Sequence, residues 1–256
     1  MIYVNGDSHS AGADIIPGIC FAQDDPRYLA YGRRAHPEAV IQTYGYRIAQ
    51  SLNQGFFCEA ESGSSNDRIL RTTRKSITET KDKSKLFVII GWTSWEREEW
   101  KHGEDYIQIT ASGTDSVPES MEEEYKEWVI KQTPEELKRK EQLWYDRIWD
   151  FHCELNEIKV KHIFFNSMNL FTNNDKDWDV CYVNDTFTQW SVEQGFNPVE
   201  NSNHYGADAH RAWAKYLIPY YMTHFANFTG KSLTNSAKRN IMNTIKEQHK
   251  FKGFNR

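Results

Sequence analysis

Long apolar segments are absent from this sequence. It contains no run of eighteen apolar residues, and no basic segment followed by a long apolar one stands at its N-terminus. The first absence predicts that no helix crosses a membrane, because a spanning helix needs about 20 apolar residues. The second predicts that there is no secretory signal peptide. We therefore expect a cytoplasmic protein.

Cysteine is scarce as well. The four cysteines include no Cys-x-x-Cys pair: they are Cys20, Cys58, Cys153 and Cys181. Such spacing argues against a zinc ribbon and against a dense disulfide framework. Reduced, mostly buried thiols are the favoured interpretation, and the even number leaves a disulfide formally possible.

Acidic side chains predominate over most of the chain but not at its C-terminal end. The net charge is −5, yet residues 231–256 contain seven Lys or Arg residues and one Glu. An acidic body argues against nucleic-acid binding by the main domain. The basic segment could bind phosphate, a membrane surface or an acidic partner, or it could simply be a solvated helix.

Apolar and amphipathic segments alternate along the chain. Strand-like segments are residues 1–4, 56–60, 85–91 and 161–166, and helix-like segments are residues 40–52, 65–81, 133–157 and 207–225. Alternation of this kind predicts a mostly parallel sheet with helices on both faces, which is an α/β fold of three layers.

The same pattern predicts how the chain is divided. We expect one domain over residues 1–228 and a basic helical extension over residues 229–256. Residues 95–132 interrupt the alternation with a tryptophan-rich segment, which we interpret as a lid-like insertion. The long connection over residues 11–38 is expected to shape a pocket, since long loops beside a site are commonly functional.

Small polar residues follow three of the predicted strands, and a histidine-bearing loop precedes the last long helix. In a parallel sheet these segments meet at the carboxyl edge, where ligands bind. Acyl transfer to a serine needs a nucleophile, a base and N–H donors for the oxyanion. Ser8 can supply the first, His204 or His210 the second, and Gly63 a donor. We favour His204 because it lies in the loop rather than in the helix.

These segments resemble the SGNH (GDSL-type) hydrolase family over residues 1 to about 225. Gly6-Asp7-Ser8 resembles its first block, Gly63 its second, Gly91-Trp92-Thr93-Ser94 its third and His204 its fourth. The resemblance implies a flavodoxin-like α/β/α domain and hydrolysis of esters, thioesters or acetylated sugars through an acyl-enzyme on Ser8. It also implies that neither a metal nor another cofactor is needed.

Two positions depart from the family pattern. Thr93 stands where the family has an oxyanion asparagine, and Asn201 stands where it has the acid of Asp-x-x-His. We expect Thr93 to act with Gly63 at the oxyanion and Asn201 to orient the imidazole, with Asp208 as the alternative. Asn66 and His9 are expected to line the same pocket. Three aromatic residues could form a sugar-stacking wall beside it: Trp92, Trp95 and Trp100.

Two other classes of function remain open. A metallophosphoesterase would use Asp7 and His9 as its first metal pair and Asn203-His204 as a later one, but its other metal motifs are missing. A binding or structural module would use the tryptophan-rich insertion and the basic extension for protein contacts. The sequence His-Arg-x-Trp-Ala after position 209 also resembles proteins of tailed phages, which would place the protein in a virion or host cytoplasm.

Overall fold

A four-stranded parallel sheet lies at the centre of the protein. The computed structural model describes residues 1–16, 36–111 and 117–228. The strands of this sheet are β1 (Ile2–Gly6), β2 (Phe56–Cys58), β3 (Phe87–Trp92) and β6 (Lys161–Asn166). They are hydrogen bonded in the order β2-β1-β3-β6, and every neighbouring pair is parallel. The predicted α/β class with a mostly parallel sheet is therefore confirmed.

Helices and one hairpin surround the sheet. The helices of the described residues are α1 (Ser8–Ala11), α2 (Pro37–Val40), α3 (Tyr44–Ser51), α4 (Asn66–Glu79), α5 (Glu122–Ile130), α6 (Pro134–Glu157), α7 (Phe187–Glu193) and α8 (Ala207–Phe228). Single 3₁₀ turns cover Lys83–Lys85 and Glu119–Met121, and β4 (Glu98–His102) pairs antiparallel with β5 (Asp105–Ile109). None of these helices has the length and apolar character that crossing a bilayer requires.

The two faces of the sheet are covered by different helices because strand side chains alternate in direction. Ile89 of β3 belongs to the core cluster that α3, α7 and α8 complete, whereas Val88 and Ile90 belong to the cluster completed by α4 and α6. All six residues of β3 are buried. A strand covered on both faces has a continuous apolar sequence, which is why this strand could be predicted from the sequence.

Helix α6 also follows directly from its sequence. Thr133 caps it by accepting a hydrogen bond from the Glu136 N–H, and Pro134 occupies the first turn, where a missing N–H costs nothing. Its apolar stripe then packs on the sheet through residues such as Ile148 and Phe151, both fully buried.

The segment between β3 and α6 has structure of its own. It contains the β4–β5 hairpin and α5, which share a small separate cluster around Ile109, Tyr125 and Trp128. We predicted a single helix over residues 40–52. In the structure α2 ends at Val40 instead, and α3 begins at Tyr44 with Thr43 as its N-cap. The predicted extension over residues 229–256 and most of the connection over residues 11–38 lie outside the described residues.

Two glycines on neighbouring strands leave room for the turn at the carboxyl edge of the sheet. Gly6, with a φ of 154°, ends β1 directly beside Gly91 of β3. A Cβ atom on Gly6 would lie 2.2 Å from the Ser10 Oγ, and one on Gly91 would lie 2.7 Å from it. The two glycines therefore leave the space into which the turn after β1 folds, with Ser10 fully buried.

Candidate active site

Ser8, His204 and Asp14 form a hydrogen-bonded relay at this edge of the sheet. The Ser8 hydroxyl lies 2.8 Å from the His204 Nε2, and the His204 Nδ1 lies 2.7 Å from the Asp14 Oδ2. A carboxylate can only accept, so the Nδ1 carries the proton and the Nε2 is free to accept from the serine. The histidine and aspartate side chains are 22% and 16% exposed. The relay is thus partly open to solvent.

One tight turn carries both the serine and the aspartate. Asp7 caps the single-turn helix α1 by accepting from the His9 N–H, and Gly12 ends that helix with a φ of 75°. Asp14 also adopts a left-handed conformation, with a φ of 56°. Asp tolerates that region better than most residues, and the two left-handed positions fold the chain back towards Ser8.

The histidine comes from the loop before α8. An antiparallel bridge between Pro198 and Tyr205 closes this loop, and the Val199 N–H donates to the His204 carbonyl at 2.8 Å. The Ser202 hydroxyl accepts from the His204 N–H at 3.0 Å and donates to the Asp14 Oδ2 at 2.7 Å. Ser202 therefore joins the histidine loop to the turn that carries the aspartate.

The acidic partner of the imidazole differs from the one expected from the sequence. Asp14 occupies the place expected for Asn201 or Asp208, and neither of those residues is hydrogen bonded to His204. Asn201 is exposed, with a φ of 58°. Asp208 is exposed too, and its carboxylate accepts from the Ala209 N–H at the start of α8. The spacing of residues in the sequence did not point to Asp14 as the partner of His204, because the φ angles of the turn bring it there.

The other two histidines near the relay are buried. His210 is 1% exposed, stacks on Tyr44 and accepts from that residue's N–H, and burial lowers the pKa of His210 to about 3. It is therefore a neutral core residue, and His204 is the histidine that reaches Ser8. His9 is 4% exposed, lies edge-on to His204 with 5.0 Å between ring centres, and has its pKa lowered by burial to about 4. It packs against the His204 ring as a neutral imidazole.

Thr93 and Asn66 hold neighbouring loops together rather than pointing free donors at the serine. The Asn66 side chain accepts from the Thr93 N–H at 2.9 Å and donates to the Thr93 carbonyl at 3.2 Å. The Thr93 hydroxyl donates to the Asp7 carboxylate at 2.9 Å. A hydroxyl has one proton. The Thr93 hydroxyl is therefore committed to Asp7, contrary to the role at the oxyanion expected for it.

Arg97 is a residue of this region that the sequence did not single out. Its Nη1 donates to the Thr93 hydroxyl at 2.9 Å and to the Ser64 carbonyl at 3.4 Å, and it lies 4.0 Å from the Asp7 carboxylate. The guanidinium thus bridges the loops that follow β2 and β3, and Ser64 directly follows Gly63 in the chain. Gly63 has a φ of 75°, which favours glycine at this position.

The metal and sugar-stacking alternatives do not match this geometry. The Asp7 carboxylate bonds Thr93 and lies near the Arg97 cation, which disfavours a bound metal ion there, and the His204 nitrogens bond Ser8 and Asp14. Of the three tryptophans expected beside the site, Trp92 is fully buried in the core, Trp95 stacks on Phe171, and Trp100 packs edge-on to Trp128.

Comparisons with protein-family models, with curated proteins and with solved structures found no match to this chain. Its function is therefore inferred from the geometry of the relay.

Proposed function

We propose that this protein is a serine hydrolase that cleaves an ester, thioester or acetyl-sugar bond through an acyl-enzyme on Ser8. The observation that carries the proposal is the continuous relay from the Ser8 hydroxyl through both nitrogens of His204 to the Asp14 carboxylate. A nucleophile bonded to a base, itself oriented by a third group, is the arrangement that activates a serine hydroxyl.

The proposed reaction has two halves. In the first, the Ser8 oxygen attacks the acyl carbon while its proton passes to the His204 Nε2, and Asp14 stabilises the imidazolium that forms. The tetrahedral intermediate then expels the alcohol or thiol, which takes that proton and leaves an acyl-serine. In the second half, His204 takes a proton from water, the resulting hydroxide attacks the acyl carbon, and the proton returns to Ser8 as the acid is released.

Three groups are proposed to stabilise the oxyanion. The Ser8 N–H lies in the first turn of α1, where N–H groups have no partner within the helix. The Gly63 N–H is the second donor. Arg97 is the third, replacing the amide that the family places at Thr93, because its guanidinium bonds that threonine and the Ser64 carbonyl. A fixed cation at this position would stabilise developing negative charge.

The fold is consistent with this proposal at a coarser level. A parallel sheet with helices on both faces and a nucleophile at the carboxyl end of its first strand supports an SGNH-type, flavodoxin-like domain. A second function is a binding module without catalysis. The commitment of the Thr93 hydroxyl to Asp7 favours it, since one oxyanion donor of the family is thereby lost.

Covalent labelling tests the proposed function most directly. Purified protein is treated with a fluorophosphonate probe, and the modified residue is identified by mass spectrometry. We expect labelling of Ser8 in the wild type, none in Ser8→Ala, and normal labelling in Ser51→Ala, which removes an exposed serine. The same proteins are then assayed on short-chain p-nitrophenyl esters, acetylated sugars and acyl-thioesters.

The outcomes separate the two functions. Labelling confined to Ser8, together with hydrolysis lost only in Ser8→Ala, would support the hydrolase. If the probe leaves Ser8 unmodified and Ser8→Ala equals the wild type on every substrate, the hydrolase proposal fails and the binding module is favoured.

A further inference from the structure

A second polar cluster, separate from the relay, lies where α6 packs on β6. It consists of His152 of α6, His162 of β6 and Cys181 from the segment after β6, each 5% exposed or less. One nitrogen or sulfur atom from each residue lies within 4.8 Å of those from the other two. Two imidazoles and a thiol buried at this separation form a ligand set suited to a borderline-soft metal ion.

The hydrogen bonds of the two histidines set which nitrogens face each other. The His162 Nδ1 lies 3.0 Å from the Val160 carbonyl, which can only accept, so this nitrogen carries the proton and the Nε2 has a lone pair. That Nε2 lies 2.8 Å from the His152 Nδ1. The His152 Nε2 is held at 2.9 Å by the Asn156 side-chain amide.

This pattern resembles the outer support of metal-bound histidines. A ligating imidazole typically has its far nitrogen bonded to a carbonyl, carboxylate or water, which fixes the ring and its tautomer. Val160 and Asn156 supply such partners here. With the Asn156 amide turned so that its oxygen accepts from the His152 Nε2, both inward nitrogens would present lone pairs. An amide turn is compatible with the same atom positions.

Cys181 completes the set from a third segment. Its carbonyl accepts from the Phe164 N–H of β6 at 2.7 Å, which anchors the residue against the strand that carries His162. Burial raises the pKa of the thiol to about 12, so it is protonated at neutral pH without a metal. Metal binding would therefore release its proton.

We propose that His152 Nδ1, His162 Nε2 and Cys181 Sγ bind one Zn²⁺-like ion, with water in the fourth position. Two nitrogens on a tetrahedral zinc lie about 3.3 Å apart, and a nitrogen and a sulfur about 3.6 Å apart, from their bond lengths. The two imidazole nitrogens, now 2.8 Å apart, need to separate by about 0.5 Å, and the thiol needs to approach them by at most about 1.2 Å. Such an ion would tie α6, β6 and the following segment together.

Cobalt is the probe that reports this site directly. The full-length protein is stripped with a chelator, dialysed and titrated with Co²⁺ without oxygen. We expect one Co²⁺ per chain, a thiolate-to-cobalt charge-transfer band, and displacement of the cobalt by Zn²⁺. Zn²⁺ should also raise the thermal midpoint of the stripped protein, because a ligand that binds only the folded state stabilises it.

Matched variants assign the ligands. Cys181→Ser should remove the band and weaken Co²⁺ binding by more than about 100-fold, whereas Cys153→Ser removes an exposed thiol beside His152 and should change neither. Asn156→Ala should weaken binding by about 10- to 100-fold through loss of orientation. If Cys181→Ser does not fold, the Cys20→Ser/Cys58→Ser/Cys153→Ser variant, in which Cys181 is the only thiol, must keep the full band.

Two results would overturn the site. One is the absence of stoichiometric Co²⁺ with a thiolate band in the wild type, which would leave the cluster as a hydrogen-bonded core network. The other is a band that survives in folded Cys181→Ser or disappears in the variant that retains only Cys181. None of these measurements depends on hydrolysis by Ser8.

Discussion

Replacing Asp14 by asparagine would test the relay at its least expected member. The substitution keeps the shape of the side chain and removes its charge. Two donors converge on the same carboxylate oxygen, the Ser202 hydroxyl at 2.7 Å and the His204 Nδ1 at 2.7 Å. An asparagine would therefore place its amide oxygen there, and His204 would keep the proton on the nitrogen that faces it.

The expected loss is then the electrostatic stabilisation of the imidazolium. At 2.7 Å and an effective dielectric constant of about 20, a unit charge pair is worth about 6 kcal/mol. Both side chains are partly exposed, at 22% and 16%, and solvent screening reduces this to about 4 kcal/mol. That corresponds to a fall in kcat of about 10³, which is less than the about 10⁴ seen where the tautomer is also wrong.

The assay is the rate of ester hydrolysis or of fluorophosphonate labelling at about pH 8, above the ordinary pKa of histidine, with folding checked by circular dichroism. Asp208→Asn and Asn201→Gly, which keeps the positive φ of that position, serve as matched controls and should stay within about two-fold of the wild type. Adding Ser202→Ala to Asp14→Asn should enlarge the loss of activity. Without the Ser202 hydroxyl, the new asparagine amide could turn its nitrogen towards His204. If Asp14→Asn retains more than a tenth of the activity, or if Asp208→Asn falls as far, the reasoning is refuted.

Three further predictions concern other parts of the molecule. The free energy of unfolding should fall as the pH drops below about 6.5, because burial lowers the folded-state pKa of His9 to about 4 and of His210 to about 3 while the unfolded chain still takes up protons near 6.5. For His9 this loss of stability reaches about 3 kcal/mol near pH 4. Urea titrations at several pH values should show that the free energy of unfolding depends less on pH in a folded His9→Gln protein. An unchanged pH dependence would contradict the lowered pKa of His9. Arg97→Gln should lower kcat by about 10²–10³ with little effect on KM if the guanidinium stabilises the oxyanion, and a change in KM alone would assign it to substrate binding. Gly45→Ala should destabilise the fold by about 1–3 kcal/mol, since its Cβ would lie 2.5 Å from a β1 side chain, whereas at Gly55 the nearest atom is 3.9 Å away and alanine should be nearly neutral in thermal unfolding.

The fold could be predicted from the sequence where capping residues or a continuous apolar run specify one element. The buried run that forms β3 and the Thr133-Pro134 start of α6 both specify their elements within a few residues. The convergence of Ser8 and His204 also followed from topology, because both stand at the carboxyl edge of a parallel sheet. The roles of these residues in catalysis stay predictions.

The acid of the relay and the partner of Thr93 could not be predicted in the same way. Asp14 reaches His204 only because Gly12 and Asp14 both adopt positive φ angles, and no residue pattern fixes that pair of angles. Thr93 matches the position expected for an oxyanion donor, but its hydroxyl proton goes to the buried Asp7 carboxylate. Such choices between competing acceptors depend on distances of tenths of an ångström.

The separation of the relay along the chain has a consequence for biosynthesis. Ser8 and Asp14 are synthesised well before His204, which lies 196 positions after Ser8 and is anchored by the start of α8. A nascent chain that has folded its first strands therefore holds Ser8 without the His204 imidazole, and under the proposed mechanism it would not attack an acyl group. Reactivity would appear only when the last described helix docks on the sheet, so covalent labelling of Ser8 would report completion of folding.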